Sequence, residues 1–371
     1  MPSQYRADHV GSLLRPKELL DARRDPAVSA DELRVIEDRC ILDVLKRQKD
    51  AGFTIFTDGE LRRAGFMSDF YESVEGLDRE FEIDRAWKGA PSAAVVAKGI
   101  GAPGGAVVAR LRQTRRLTRH EVDFMTKHAP GDVKMTLPTA NQFPAIAYKK
   151  GVSDRVYPSY SDFLWDIVPI MKKEIQALVS EGVKYIQIDA PRYTYYIDPK
   201  WRRYVQDEMG VDPERALDEA IEVDNACLEG VKRDGITFAI HLCRGNNRSQ
   251  WYAEGGYDPI AERLFNRLNV DRFLLEYESE RAGTFEALRF VPRSKTVVLG
   301  LVSSKLPELE QQQHLLRRID EASRYVPLEN LAVSPQCGFA STMEGNLVSE
   351  EDQWRKLQLV VDTARQVWKD A

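Results

Sequence analysis

Gly235-Ile236-Thr237-Phe238-Ala239-Ile240-His241-Leu242-Cys243-Arg244-Gly245-Asn246 is the stretch on which the reading of the chain turns. A glycine opens a short apolar and β-branched run, the pattern of a buried strand. Side chains two apart on a strand share a face. His241 and Cys243 therefore leave the strand end side by side, an imidazole beside a thiol. Such a pair is half of a zinc site, and alone it reads more simply as a core histidine beside a buried cysteine. The other strand ends decide between the two.

Working outward, residues 6–10, 53–57, 133–137, 185–188, 272–275, 296–301 and 331–334 have the same strand character. Helical patterns at 31–51, 118–129, 163–181, 212–233, 259–267, 307–325 and 350–369 separate most of them. The last helix has a capped start at Ser349-Glu350-Glu351-Asp352 and carries Leu357, Val360, Val361, Ala364 and Trp368 along one face. Eight strands alternating with helices predict an α/β fold, a single (β/α)8 TIM barrel spanning 1–371. No G-x-G-x-x-G follows a strand to favour a doubly wound sheet, and no linker divides the chain.

One segment, about 74–116, breaks the rhythm. Ala93–Lys98 and Ala106–Arg110 are similar runs flanking Gly101-Ala102-Pro103-Gly104-Gly105, a strong turn signal. This predicts a β-hairpin inserted after the second strand. It is placed either to cover the end of a barrel or to contact a second copy in a homo-oligomer.

Composition narrows the function classes. With 43% hydrophobic residues the chain can bury a large core, while a net charge of −5 and a pI near 5.8 give no global basic surface for nucleic acid. No apolar run has the length of a membrane span, and Met1-Pro2-Ser3-Gln4-Tyr5-Arg6 is not a signal peptide, so a cytoplasmic protein is expected. Four cysteines in 371 residues make no disulfide framework. Cys40 and Cys227 fall in step with apolar neighbours on helical patterns and read as core. Cys243 and Cys337 do not.

Reactive side chains of a barrel gather where strands end. These ends carry His9-Val10-Gly11-Ser12, Thr57-Asp58-Gly59-Glu60, Gln187-Ile188-Asp189, His241-Leu242-Cys243, Leu275-Glu276-Tyr277 and Ser334-Pro335-Gln336-Cys337-Gly338. His241, Cys243, Glu276 and Cys337 are zinc-type ligands, and their arrival at one rim points to a Zn2+ site.

These ends, with Cys243-Arg244-Gly245-Asn246, Leu275-Glu276-Tyr277, Leu299-Gly300-Leu301-Val302 and Ser334 through Thr342, resemble the C-terminal barrel of cobalamin-independent methionine synthase, closest to its short single-barrel members. The resemblance covers nearly the whole chain. It implies zinc on His241, Cys243, Glu276 and Cys337, with Ser12, Glu60 and Asp189 holding the amino-acid part of a thiol such as homocysteine. Two carboxylates at strand ends independently suit an ammonium, although Asp189 before Ala190-Pro191 is also placed to cap a helix. The implied reaction is methyl transfer from a donor, in the full-length synthase 5-methyltetrahydropteroyltriglutamate, to homocysteine. Two departures bear on that donor: these residues carry one barrel's worth of strands, and Gly300-Leu301-Val302-Ser303-Ser304-Lys305 has no histidine where the synthase has one. His120, His128 and His314 lie in helical patterns, which leaves His9 as the candidate proton donor. The partners expected are thus a small thiol and a methyl or alkyl donor. Alkylation of another thiol, such as epoxide opening by coenzyme M with Arg244, Arg248 or Arg281 receiving the sulfonate, is the alternative chemistry. A non-catalytic zinc-stabilised binding barrel is the alternative class.

Overall fold

The computed structural model describes residues 5–78, 88–89, 105–369 and 371. Among these residues the strands are β1 (Ile55–Phe56), β2 (Val74–Asp78), β3 (Ala106–Gln113), β4 (Asp132–Pro138), β5 (Tyr185–Asp189), β6 (Thr237–Leu242), β7 (Arg272–Glu276), β8 (Thr296–Val302) and β9 (Leu331–Pro335). Seven form one sheet in the order β1-β4-β5-β6-β7-β8-β9, every neighbouring pair parallel. Helices separate most of these strands, as parallel pairing requires of its crossovers.

The sheet is curled. Tyr5, Val10, Ile55, Tyr185, Ala239, Leu274, Val298 and Ala332 form an apolar cluster separate from the main core. It takes residues from the first strand of the sheet and from the last, so the inner face closes toward itself. The larger cluster lies between the sheet and the helices.

The segment expected as a strand at residues 6–10 makes only one bridge, Ala7 to Val333 on the edge of β9. Asp8 explains why it goes no further. Its carboxylate accepts from the backbone N–H of His9 at 2.8 Å, a local bond that competes with ladder pairing. It also meets Lys134 Nζ at 2.8 Å and accepts from the Tyr185 hydroxyl at 2.8 Å, all inside the curled sheet. This segment is therefore tied to the inner face by charge more than by ladder bonds.

Of the insertion expected as a hairpin, one arm falls among the described residues. Ala106–Gln113 is a strand, but its antiparallel partner is Val74–Asp78, and Ala93–Lys98 lies outside the described residues. The β2–β3 register breaks at Gly76, where φ is +107° and a Cβ would stand 2.8 Å from Ala109 O. At Lys88 the insertion exchanges backbone hydrogen bonds with Trp251, in the loop after β6.

Cys40 and Cys227 are buried on the helices Ala30–Ala51 and Pro213–Leu228, as their spacing predicts. The helices Lys17–Arg24, Ser68–Ser73, Pro144–Ala147 and Pro199–Asp207 were not anticipated. Among the described residues no helix is long and apolar enough to cross a membrane.

Candidate active site

Strand parity builds the site. Ala239 belongs to the inner apolar cluster, so His241 and Cys243, two and four residues on, continue the same face at the carboxyl end of β6. On β5 the same step runs from Tyr185 through Gln187 to Asp189, and on β7 from Leu274 to Glu276. The β5–β6 register pairs Asp189 with His241 directly. Cys337 comes from the turn just after β9, two strands away from β7. Gly300 lets these ends approach, since a Cβ there would lie 2.8 Å from both Gln336 Cα and Leu275 O.

The result is a tight cluster. Ligand atoms of His241, Cys243 and Cys337 all lie within 4.8 Å of one another, and all three residues are buried. The imidazole has its Nδ1 3.0 Å from Asp189 Oδ1 and its Nε2 3.2 Å from Gln336 O. Burial opposes charging His241, but the Asp189 hydrogen bond and the neighbouring Cys337 outweigh it and raise its pKa. The hydrogen bond from Cys243 brings the Cys337 thiol down to about 6, against burial and helped by His241 and Lys305. The same bond, with burial, holds Cys243 protonated.

Glu276 is not drawn into this group. Its Oε2 accepts from the backbone N–H of Arg244 at 2.8 Å, and its Oε1 accepts from Arg281 Nε at 3.0 Å. Burial disfavours its charge, yet Arg281, Arg244 and Lys305 together keep its pKa low. Arg281 also pairs with Glu278 and lies over the ring of Trp251, the residue on which Lys88 docks. An unbroken set of contacts thus runs from the insertion to Glu276.

A cavity of about 400 Å³ opens beside the cluster. His241, Cys243 and Cys337 line it, and so do Ser12, Glu60 and Asp189. Asp189 makes no helix cap: the turn Pro191–Tyr196 has Ala190 at its start with no side-chain bond. Its carboxylate instead takes His241 and Gln187, leaving the side chain 10% exposed toward the cavity. Ser12 packs on Gly338, whose missing Cβ would fall 2.0 Å from the Ser12 hydroxyl. Glu60 adopts a left-handed backbone, φ 55°, uncommon for a residue with a side chain. Its Oε1 accepts from Thr136 Oγ1 at 2.7 Å, while Oε2 is buried with no hydrogen-bond partner. Burial, with Asp189 nearby, raises the Glu60 pKa.

His9 does not reach the cavity. Its ring packs edge-on against Phe53 at 5.0 Å, and burial next to Lys134 pushes its pKa down to about 4. Arg244, Arg248 and Arg281 do not line the cavity either. Arg244 stacks on Tyr257 at 4.0 Å and donates to Ala282 O at 3.3 Å.

The sequence reading missed two supporting cations. Arg63 pairs with Glu121 at 2.6 Å and Asp69 at 2.8 Å, and lies 3.8 Å from Glu60 Oε1. Asp69, His120 and Glu121 would otherwise resemble a second metal cluster, but the Arg63 guanidinium already supplies its positive charge. Lys305, a little beyond the end of β8 at Val302, donates to Gly245 O and Asn246 Oδ1, both at 2.9 Å. No local pattern around Arg63 or Lys305 marks them, because their partners come from distant segments.

A parallel, curled sheet with thiols and an imidazole converging on a cavity at its carboxyl ends defines an α/β enzyme-like site. Residues 14–366 match the family described as cobalamin-independent synthase, catalytic domain, and the chain belongs to that family. It is 38% identical to YxjG and 36% identical to YxjH of Bacillus subtilis, in each case over 98% of this chain and 95% of the relative. A methionine synthase of Pyrococcus horikoshii is 23% identical over 88% of this chain and 82% of its own. A solved Listeria monocytogenes chain described as a vitamin-B12-independent methionine synthase superposes with a TM-score of 0.75 at 29% identity, covering 99% of both chains. A B12-independent methionine synthase of Shewanella, solved with selenomethionine, gives a TM-score of 0.74 at 20% identity over 99% of this chain and 98% of that one, a likeness of fold.

Gly338 offers a local test of the cavity wall. Gly338→Ala should lower unfolding stability by about 1–3 kcal/mol through overpacking. Combining it with Ser12→Ala, which removes the hydroxyl it strikes, should recover most of that loss in denaturant titrations.

Proposed function

We propose that this protein is a zinc-dependent thiol S-methyltransferase that methylates homocysteine to methionine, acting as one (β/α)8 barrel domain with the segment around residues 6–10 as its eighth stave. The observation that carries the reading is the convergence of His241, Cys243 and Cys337 within 4.8 Å at the wall of a cavity that also presents Glu60 and Asp189.

The donor set fits zinc. Two thiols and one imidazole are a soft N/S set, and with one oxygen donor they would make up the four-coordinate shell that zinc takes. Asp189 on His241 Nδ1 is the carboxylate that would fix a ligating imidazole's tautomer, and Nε2, which stands 3.2 Å from Gln336 O, is the nitrogen that would exchange that carbonyl for a metal. Glu276 is the fourth ligand of this reading. As the only oxygen donor of the set, and one already held by Arg281 and Arg244, it would be the weakest-held of the four, and its position the one open to a substrate thiol. A zinc ion held there supplies the positive charge that keeps a coordinating thiol deprotonated near neutral pH.

The remaining residues orient the acceptor. Glu60 Oε2 is a buried acceptor without a donor, and an ammonium placed between Glu60 and Asp189 would satisfy it and offset the burial and the Asp189 charge that raise the Glu60 pKa. Arg63 and Thr136 hold the Glu60 carboxylate toward the cavity from behind. Ser12, pinned against Gly338, stands beside Cys337 for the acceptor's polar end. The alternative of a sulfonate-bearing thiol gains no support, since no arginine or lysine lines the cavity among the described residues.

Zinc content tests the centre. About one zinc per chain is expected, with Cys243→Ser and Cys337→Ser each losing most of it, since a hydroxyl replaces a thiolate poorly. Cys40→Ser and Cys227→Ser should keep theirs. Elemental analysis of the four variants decides, and full zinc in the first two would remove the proposal's foundation.

The acceptor end is tested separately. Glu60→Gln and Asp189→Asn should each weaken homocysteine binding roughly tenfold to a hundredfold, the loss of one charge-assisted hydrogen bond, with zinc retained. Calorimetric titration of the zinc-loaded variants measures it. Unchanged affinity in both would indicate a thiol without an amino-acid head.

A further inference from the structure

We propose that the methyl donor is a cation, a methylsulfonium compound, received at the outer part of the same cavity by Glu72 and Glu344. This rests on the thiol-methylation reading above and adds the donor's chemical class.

The charge of the cavity wall is one-sided. Glu60, Asp189, Glu72 and Glu344 line it, and among the described residues no lysine or arginine does. The cations nearest by are committed elsewhere. Arg63 is bound to Glu121 and Asp69, Arg244 to Ala282 O and the Tyr257 ring, Arg281 to Glu276, and Lys305 to Gly245 O and Asn246. Glu72 shares its charge with Arg115 at 3.0 Å, on the exposed side. Glu344 is exposed and makes no ion pair among the described residues. Glu60 is buried, and although Arg63 stands 3.8 Å from its Oε1, its Oε2 has no hydrogen-bond partner and so is an acceptor with unused capacity at the cavity.

The same wall is also aromatic and sulfur-bearing, with Phe66, Met67, Tyr71, Tyr252 and Met343. Ring faces and carboxylates together attract an alkylated cation and repel a polyanion such as a folate with a glutamate tail.

The acid–base inventory points the same way. A methylated amine of the folate kind departs as a poor leaving group that must be protonated. The only imidazole on the cavity wall among the described residues is His241, which is turned to Asp189, and His9 lies elsewhere. A sulfonium needs no acid. The acceptor sulfur, having lost its proton, forms the new S–C bond. The donor's S–C bond breaks with its electron pair going to the donor sulfur, which leaves as a neutral sulfide. Charge and atoms balance with no further reactant.

The test uses the zinc-loaded full chain in two arms. In the first, homocysteine methylation is followed with S-methylmethionine and with monoglutamyl methyltetrahydrofolate. The sulfonium should give a kcat/KM at least about a hundredfold higher, the size of effect a missing general acid produces. In Glu72→Gln/Glu344→Gln the sulfonium value should fall about tenfold, less at high salt because these charges are exposed. In the second arm no turnover is needed. Binding of tetramethylammonium is compared with its neutral isostere neopentane by competition in the wild type and the double variant, where only the cation should weaken. Preference for the folate, or equal binding of cation and isostere, overturns the donor inference. Loss of homocysteine binding in the Glu60 and Asp189 variants is independent of this outcome and reports on the acceptor reading alone.

Discussion

Everything at this site depends on the curl of a parallel sheet that brings the ends of β6 and β9 together although β7 and β8 lie between them. Side chains leave strands with a period of two, so once Ala239 is fixed on the inner face, His241 and Cys243 must follow it. Cys337 completes the group only because the intervening ends pack closely, and Gly300 makes that approach possible. A side chain at residue 300 would push β9 away from β7 and open the thiol–imidazole cluster before altering any of its members.

Burial then imposes a rule on charge. A polar group taken out of water is costly unless paired, and the inner face obeys this with Asp8–Lys134 below the site and Arg63 with its carboxylates beside it. Against that background the oxygen Oε2 of Glu60 stands out as a buried acceptor with no hydrogen-bond partner. Glu276 shows the converse. It is fully paired by Arg281 and Arg244, and Arg281 in turn lies on Trp251, where the insertion docks through Lys88. Lys88 is therefore linked through Trp251 and Arg281 to a carboxylate near the thiols.

Much of this was legible in the chain because strands and strand ends are local signals. The expected strands at 53–57, 133–137, 185–188, 237–240, 272–275, 296–301 and 331–334 all form, with shifted ends. The segment at 6–10 does not, since the Asp8 carboxylate captures its own neighbour's N–H and a buried lysine that lies 126 residues away. The arm at 106–110 forms and pairs with Val74–Asp78, a partner that composition did not mark, while the arm at 93–98 lies outside the described residues. At the site, the sequence marked Ser12, Glu60, Asp189, His241, Cys243 and Cys337, which share the cavity. It also marked His9 and Glu276, whose side chains turn to Phe53 and to Arg281. Position at a strand end can be read from spacing; the direction in which a long or partnered side chain leaves it cannot.

The central claim is that a substrate thiol joins the His241–Cys243–Cys337 group at a metal. X-ray absorption at the zinc edge, recorded on the zinc-loaded protein with and without homocysteine, addresses it most directly. The account predicts two sulfur neighbours with nitrogen and oxygen in the free protein, and a third sulfur at about 2.3 Å on adding homocysteine. A zinc shell that contains two sulfurs in both samples, or four unchanged protein ligands, would contradict it.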